Sequence, residues 1–235
     1  MKKSILNHEY IKNSITKNNG KDDVKYRWSH GATTKHLGDG MILYSLMYFL
    51  KPKLSVCLGS GGGYIPRIMW SCISDLRQEG YDGKGESRVI LVDAVNGVNG
   101  EPDWTDEDSF YRTNFNSEWL HETTEKAYYE YFVKRDMRID LLWIDADHSL
   151  EGVKKDFDLY SEIMSDKGII MIHDTDEKYV NNFIETKEHE DYDLSGPSEF
   201  IKTLDGDKFE ILNLFNYGIE KDFPSSTGIT IVRKK

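Results

Sequence analysis

The sequence predicts an α/β fold in which helices cover both faces of a doubly wound, mostly parallel sheet. Uninterrupted apolar segments recur along the chain, at 54–58, 88–92, 139–144 and 168–172. Such segments are typical of strands that are buried on both faces. A short strand near 111–115 and two last strands at 209–215 and 228–232 would bring the sheet to seven strands. We expect the last two strands to form an antiparallel hairpin.

The segments between these strands carry apolar residues at helical spacing. A helix over 34–50 should end at Lys51 and Pro52, and another should follow the glycine-rich turn after the first strand. The composition of 118–135 is helical, and a short helix can start at Pro197. Ser149 can cap a helix in which Val153, Phe157, Tyr160 and Met164 form the apolar stripe. Strand and helix alternate, which indicates a parallel sheet.

Composition limits the function classes. The 235 residues carry a formal net charge of -11, which disfavours a nucleic-acid partner because phosphate contacts need an excess of Lys and Arg. Cys57 and Cys72 lie in apolar segments, so we expect buried thiols in a reducing, cytoplasmic location. The longest apolar run, 41–50, is about half of a bilayer span, and no export signal is expected. We expect one domain over 34–235 after an N-terminal extension of residues 1–33.

A glycine-rich turn follows the first strand, with Gly59, Ser60, Gly61 and Gly63 ahead of Tyr64. Glycines permit a sharp turn and let a ligand approach the backbone closely. Tyr64 stands where a nicotinamide-binding fingerprint requires a third small residue, which counts against NAD. The looser turn suits S-adenosylmethionine. Asp93 and Ala94 follow the second strand, and a carboxylate there can accept hydrogen bonds from two ribose hydroxyls.

Two further strands also end in acids, Asp145 and Asp174. Ends of neighbouring parallel strands lie about 5 Å apart, so two carboxylates can share one cation. Mg²⁺ is the default expectation for such a site. Each acid could instead be a solvated strand end or a helix cap, and His148 could be a polar turn residue.

The segments 144–153 (IDADHSLEGV) and 168–175 (GIIMIHDT) closely resemble a pattern of class I S-adenosylmethionine-dependent methyltransferases. Within that class the chain is similar to the macrocin O-methyltransferase and cephalosporin-hydroxylase-like group, over residues 54–175 in matching order. The resemblance implies a Rossmann-like fold and an O-methyltransferase acting on a sugar-like, hydroxylated or phosphorylated small metabolite.

The resemblance also implies roles for single residues. In that group the acids that close the fourth and fifth strands hold a divalent cation, and a histidine three residues after the first acid is the base. By position, Asp145 and Asp174 become metal ligands and His148 the catalytic base. Asp145 also counts as a catalytic and cofactor-binding residue.

The chain departs from the group at two positions. His173 stands where the group usually has another acid, and it joins Asp145 and Asp174 as an expected metal ligand. Cys57 stands where an acid commonly precedes the glycine turn by two residues. Either change implies altered cofactor contacts or a metal site of different strength.

Two other functions stay open on sequence alone. Asp145-Ala146-Asp147 matches the D-x-D motif of metal-dependent glycosyltransferases, although that motif leaves the glycine turn and Asp93 unexplained. The departures at Cys57 and His173 also allow a catalytically inactive homologue that binds the cofactor. The sequence leaves a homo-oligomer open, and the acceptor is expected to be a small molecule, with no nucleic-acid or membrane partner.

Overall fold

A single seven-stranded sheet organises the part of the chain that the computed structural model describes, namely residues 29–32, 37–59, 63–81, 86–94, 118–178, 195–215 and 227–235. The strands are β1 Leu54–Leu58, β2 Arg88–Val92, β3 Glu118–Leu120, β4 Ile139–Ile144, β5 Met164–His173, β6 Phe209–Leu214 and β7 Ile229–Lys234. Their order in the sheet is β3-β2-β1-β4-β5-β7-β6. The first five run parallel, and β7 pairs antiparallel with β5 and β6. The predicted fold class and the C-terminal hairpin are confirmed.

Helices flank this sheet, and their ends follow from local sequence. They are α1 Asp39–Leu50, α2 Tyr64–Gln78, α3 Thr124–Ala127, α4 Leu150–Ser161 and α5 Gly196–Ile201. After α3 the chain continues in π and 3-10 turns to Arg135. The α1 helix ends where Lys51 turns left-handed, with a φ of 55°, directly before Pro52. None of these described helices is long and apolar enough to cross a membrane.

The start of α4 determines how the chain leaves β4. The Ser149 hydroxyl accepts a hydrogen bond from the Gly152 amide at 3.0 Å and so caps the helix, as predicted. Val153, Phe157 and Tyr160 of the predicted stripe are buried against the sheet, whereas Met164 was wrongly assigned to the helix and begins β5. The four residues between β4 and the cap therefore stay at the carboxyl end of the sheet.

The core lies on both faces of the sheet. Cys57 and Trp143 point to one face and pack in a cluster with α1 and α2. Leu58 and Ile144 point to the other face and pack in a cluster with α4. Because both faces are covered, the strands are apolar at nearly every position.

The structure differs from two of the predicted elements and does not describe a third. The prediction of a continuous helix over 118–135 is wrong, because the first three residues of this segment form β3, which pairs with β2 at the sheet edge. The fifth strand begins at Met164, earlier than the apolar run at 168, since Met164 already pairs with Ile139 before a register shift. The short strand expected at 111–115 falls outside the described residues.

Candidate functional site

Polar residues meet at the carboxyl edge of the sheet. In the register of the strands, Leu58 lies opposite both Val92 and Ile144. The Gly59 amide then donates to the Val92 carbonyl at 2.9 Å, and the Asp145 amide donates to Leu58 at 2.9 Å. The residues that follow β1, β2 and β4 are thus side by side. The expected convergence of strand ends is observed.

Gly59 is required by its neighbours. Its φ is 73°, and a Cβ at this position would lie 2.1 Å from the Asp145 carbonyl oxygen. Only glycine combines this conformation with such close approach of the next loop. Gly63, with a φ of 85°, marks the start of α2. Ser60 and Gly61, which were also expected to contact the cofactor, lie outside the described residues.

The remaining residues expected at the cofactor differ in exposure. Asp93 is buried at the end of β2, whereas Ala94 is exposed and its carbonyl accepts a hydrogen bond from the His121 ring at 3.1 Å. The Tyr64 side chain is fully buried, and its hydroxyl donates to the Leu37 carbonyl at 2.6 Å. A contribution of Tyr64 to cofactor binding would therefore have to come from its backbone.

Asp145, His148 and Asp174 are in direct contact. The Nε2 atom of His148 lies 3.2 Å from Asp145 Oδ1 and 2.8 Å from Asp174 Oδ2. The Asp174 backbone is left-handed, with a φ of 57°, an uncommon conformation that is often found at functional sites. The Thr227 hydroxyl donates a hydrogen bond to the Asp174 carboxylate. The sequence-predicted base and both predicted acids are thus brought together.

His173 joins the same cluster from the last position of β5. Its Nδ1 atom lies 3.2 Å from Asp145 Oδ1 and 3.1 Å from Asp174 Oδ1, and its Nε2 atom lies 3.2 Å from Asp39 Oδ2. The side chain is buried and its ring stacks on Trp143 with centroids 5.5 Å apart. Its two ring nitrogens face three carboxylates.

Two members of the cluster were missed by sequence reasoning. His30 places Nε2 2.9 Å from Asp145 Oδ2, and Asp39 contacts His173 from the first turn of α1. Asp39 carries only the ordinary signal of an acid at a helix start. His30 falls in the segment that was predicted to be an extension outside the domain, and no spacing links it to residues 115 positions away.

Ion pairing determines the electrostatics of the cluster. Burial by itself would raise the pKa of Asp145, but the surrounding histidines outweigh it and lower that pKa well below its ordinary value. Burial by itself would lower the pKa of His148, but hydrogen bonds to Asp145 and Asp174 outweigh this effect and raise the pKa to about 10. The pKa of His173 is likewise raised by its carboxylate partners despite burial. As arranged here, His148 holds its proton at neutral pH.

The cluster offers two groups of ligand atoms that fit a metal ion. One group is Asp145, His148 and Asp174, and the other is His30, Asp145 and His173. Within each group the ligand atoms lie within 4.8 Å of one another, close enough to coordinate a single cation. Carboxylate oxygen together with imidazole nitrogen suits Mn²⁺, Fe²⁺, Co²⁺ or Zn²⁺ better than Mg²⁺.

Asp147, the second acid of the D-x-D triplet, is directed away from this cluster. Its Oδ1 atom accepts the Ser149 amide at 2.9 Å, a local turn at the start of α4. A Cβ at Gly152 would lie 2.2 Å from the Asp147 carboxyl carbon, so this carboxylate packs on the helix. The two acids of the triplet therefore do not form a common ligand pair.

A cavity of about 490 Å³ lies next to the end of β5. Thr175 and Asp176, which follow Asp174 in the chain, line one side of it. Lys178 and Lys202 lie at its wall together with Phe215. Its volume is in the usual range for small-molecule sites.

Comparisons with known proteins agree with this fold. An O-methyltransferase from Bacillus cereus in complex with SAH is 15% identical with a TM-score of 0.61, covering 84% of this chain and 80% of that chain. TomG, an O-methyltransferase from Streptomyces achromogenes in complex with SAM, is 10% identical with a TM-score of 0.59. The match covers 84% of this chain and 79% of TomG. An rRNA methylase from Streptococcus thermophilus is 11% identical with a TM-score of 0.51, and the match covers 82% of this chain and 94% of that chain. The fold alone therefore does not determine the acceptor.

The strand order and the glycine turn define the class I methyltransferase fold. A family model described as a methyltransferase domain matches residues 56–175, which is half of the chain and runs from within β1 to just beyond the end of β5. The chain belongs to this methyltransferase family, whose class uses S-adenosylmethionine. No curated protein sequence matches the chain significantly.

Proposed function

We propose that the protein is a cytoplasmic methyltransferase of small-molecule biosynthesis that transfers the methyl group of S-adenosylmethionine to a hydroxyl oxygen, assisted by a divalent cation. One observation carries this proposal. Asp145 contacts both halves of the site, because its carbonyl lies against Gly59 of the glycine turn and its carboxylate accepts from His148. The glycine turn, which is expected to bind the cofactor, and the cluster that contains His148 are therefore adjacent.

The cofactor would bind along the carboxyl edge beside β1 and β2. The left-handed Gly59 and Gly63 leave the turn without side chains at these two points. Asp93, buried at the end of β2, would accept hydrogen bonds from the ribose hydroxyls. The sulfonium methyl is activated by the charge of the cofactor itself, so the protein chiefly has to orient the acceptor.

The residues that would hold the cation are Asp145, His173 and Asp174. It would neutralise their negative charge and lower the pKa of a nearby acceptor hydroxyl. The hydrogen bonds and negative charges of Asp145 and Asp174 raise the pKa of His148, so binding of these carboxylates to a cation would lower that pKa. An imidazole freed in this way can accept the hydroxyl proton.

A small acceptor is favoured by the cavity next to β5 and by the net charge. The cavity of about 490 Å³ suits a metabolite. Its lining carries two acids, Asp176 and Glu177, and two lysines, Lys178 and Lys202, with Lys202 paired to Glu177 at 2.6 Å, and this balance of charge fits a hydroxylated compound. Asp147 packs on α4, which argues against the D-x-D glycosyltransferase alternative.

The direct test is methyl transfer from radiolabelled S-adenosylmethionine to a panel of hydroxylated small molecules. Incorporation into such an acceptor, lost in excess chelator and restored by a divalent cation, is expected. Transfer that continues undiminished in chelator would contradict the cation, and incorporation only into amines or nucleic acid would contradict an oxygen acceptor on a small molecule. Tight cofactor binding without transfer to any acceptor would favour an inactive homologue.

His148 has its own prediction. His148→Gln keeps a hydrogen-bond donor but cannot take a proton at neutral pH, so kcat should fall by about 10²- to 10⁴-fold. Cofactor affinity, measured by calorimetry, should stay within about twofold of wild type, because His148 contacts Asp145 and Asp174 rather than the glycine turn. A kcat equal to that of the wild type, under conditions in which chemistry limits the rate, would exclude the base role.

A further inference from the structure

Asp145 separates the cluster into two sides. Its Oδ1 atom faces His148 and His173 at 3.2 Å each, whereas its Oδ2 atom faces His30 at 2.9 Å. The His30 and His173 rings also meet, with centroids 4.5 Å apart. The Asp145 carboxylate therefore has imidazole partners on both oxygens, and the His30 and His173 imidazoles are neighbours.

The His30 ring is held in place by packing. It stacks on Tyr64 with centroids 5.7 Å apart and meets the edge of Trp143 at 5.8 Å. Its side chain is only 11% exposed. A ring fixed from several sides is already oriented for a ligand and loses little freedom when it binds one.

The backbone around His30 adopts a costly conformation to place the ring there. His30 has a φ of 52°, which is uncommon for a residue other than glycine. Gly38 also has a positive φ, 52°, and a Cβ at that position would lie 2.2 Å from the His30 carbonyl oxygen. Strain of this kind persists where the surrounding structure enforces it, and it concentrates at functional sites.

We propose that His30, Asp145 and His173 form a two-histidine, one-carboxylate site that selects a divalent transition-metal ion over Mg²⁺. This inference deepens the proposed function and rests on its requirement for a divalent cation. It replaces Asp174 by His30 as the third ligand and makes the segment before α1 part of the site.

Ligand chemistry explains the selection. Mg²⁺ prefers oxygen ligands and dehydrates reluctantly, whereas imidazole nitrogen binds Mn²⁺, Co²⁺ or Zn²⁺ more strongly. His30, Asp145 and His173 offer two nitrogens and one carboxylate within 4.8 Å of one another. Asp39, at 3.2 Å from the second nitrogen of His173, would orient that ring, as carboxylates commonly do for metal-bound histidines.

The test measures metal binding directly. Full-length protein is stripped with chelator and titrated with Mn²⁺ and with Mg²⁺ by calorimetry, and spin-echo EPR of bound Mn²⁺ counts coordinated imidazoles. Wild type should bind Mn²⁺ more tightly than Mg²⁺ and show two imidazoles. His30→Asn should show one coordinated imidazole; asparagine is chosen because it tolerates a left-handed backbone. Its Mn²⁺ affinity should fall about tenfold or more, since losing only a partner of a ligand already costs about 10- to 100-fold.

His121→Asn is the matched control, because His121 is the described histidine outside the cluster; its Mn²⁺ affinity should be unchanged. If His30→Asn unfolds, His30→Gln replaces it. Unchanged Mn²⁺ affinity in the His30 variant, with weakened binding in Asp174→Asn, would overturn the proposal and leave the cation of the proposed function in place. Methyl transfer by a protein that binds neither ion would overturn both metal proposals while sparing the methyltransferase.

Discussion

At the scale of single residues, one buried acid outside the site has an effect that can be measured. Asp156 on α4 is almost fully buried, and its Oδ1 atom accepts from the Thr124 hydroxyl at 2.5 Å. Its Oδ2 atom has no hydrogen-bond partner among the described residues. Burial raises the pKa of this carboxyl to about 6, although Thr124 and Lys155 act in the opposite direction. The charged form is therefore disfavoured in the folded protein.

Asp156→Asn should stabilise the protein at neutral pH. The folded pKa of Asp156 lies above its value in the unfolded chain, so its stabilising contribution is complete below about pH 4 and is lost as the pH rises through about 6. The free energy of unfolding of the variant, measured by urea denaturation, should therefore exceed that of the wild type by roughly 2 to 3 kcal/mol at pH 7. Near pH 4 the two proteins should differ much less.

Asp158→Asn, two residues further along α4, is the control. Asp158 is exposed and pairs with Lys154 on the same helix, so its substitution should change stability by less than about 0.5 kcal/mol. A difference between wild type and Asp156→Asn that stays constant from pH 4 to pH 7 would show that the Asp156 charge is not the cause.

At the scale of elements, the sequence identified the strands that are buried on both faces. β1, β2 and β4 match the apolar runs because they are buried at nearly every position, with Arg88 and Asp140 as half-buried exceptions. β3 was missed since its three half-buried residues lie at the sheet edge, where the apolar signal is weak. The additional residues of β5 were missed because Ser165, Asp166 and Lys167 are polar.

The turn between β1 and α2 has a sharp prediction. Gly59→Ala places a Cβ 2.1 Å from the Asp145 carbonyl oxygen, whereas Gly80→Ala, at a similarly left-handed φ, meets no atom of the described residues within 4 Å. Gly80→Ala should therefore cost only the backbone conformation, about 1 kcal/mol. Gly59→Ala should lower the free energy of unfolding by about 1 to 3 kcal/mol more than that, because of the clash.

The comparison of the two glycine variants by urea denaturation isolates packing from backbone strain. Equal losses of stability would mean that the β4 loop moves aside without cost, and the close approach of Gly59 to Asp145 would then not constrain the site.

At the scale of the whole molecule, the sequence predicts those site residues whose positions are set by the ends of the strands. Asp145 and His148 follow β4, while His173 closes β5 and Asp174 follows it, and in parallel strands such residues share one edge. Asp39 and His30 enter from segments that precede the sheet in the chain. Their place depends on how α1 packs across the sheet, which no local pattern encodes.

The net charge of -11 gives a prediction for the whole surface. The protein should not bind single-stranded or duplex RNA in fluorescence anisotropy at about 150 mM salt, because phosphate contacts require a local excess of cations. Saturable binding that weakens steeply with salt would contradict this and would make RNA the first acceptor to test.

The contact between His30 and Asp145 has a consequence for the order of folding. It joins positions 115 residues apart, and the contact of His173 with Asp39 spans 134. Closing such long loops costs conformational entropy, so we expect these contacts to form late, after the sheet provides a surface on which the N-terminal segment can dock. The core can therefore form while the site is still incomplete, and catalytic competence should appear as a kinetic step after burial of Trp70 and Trp143.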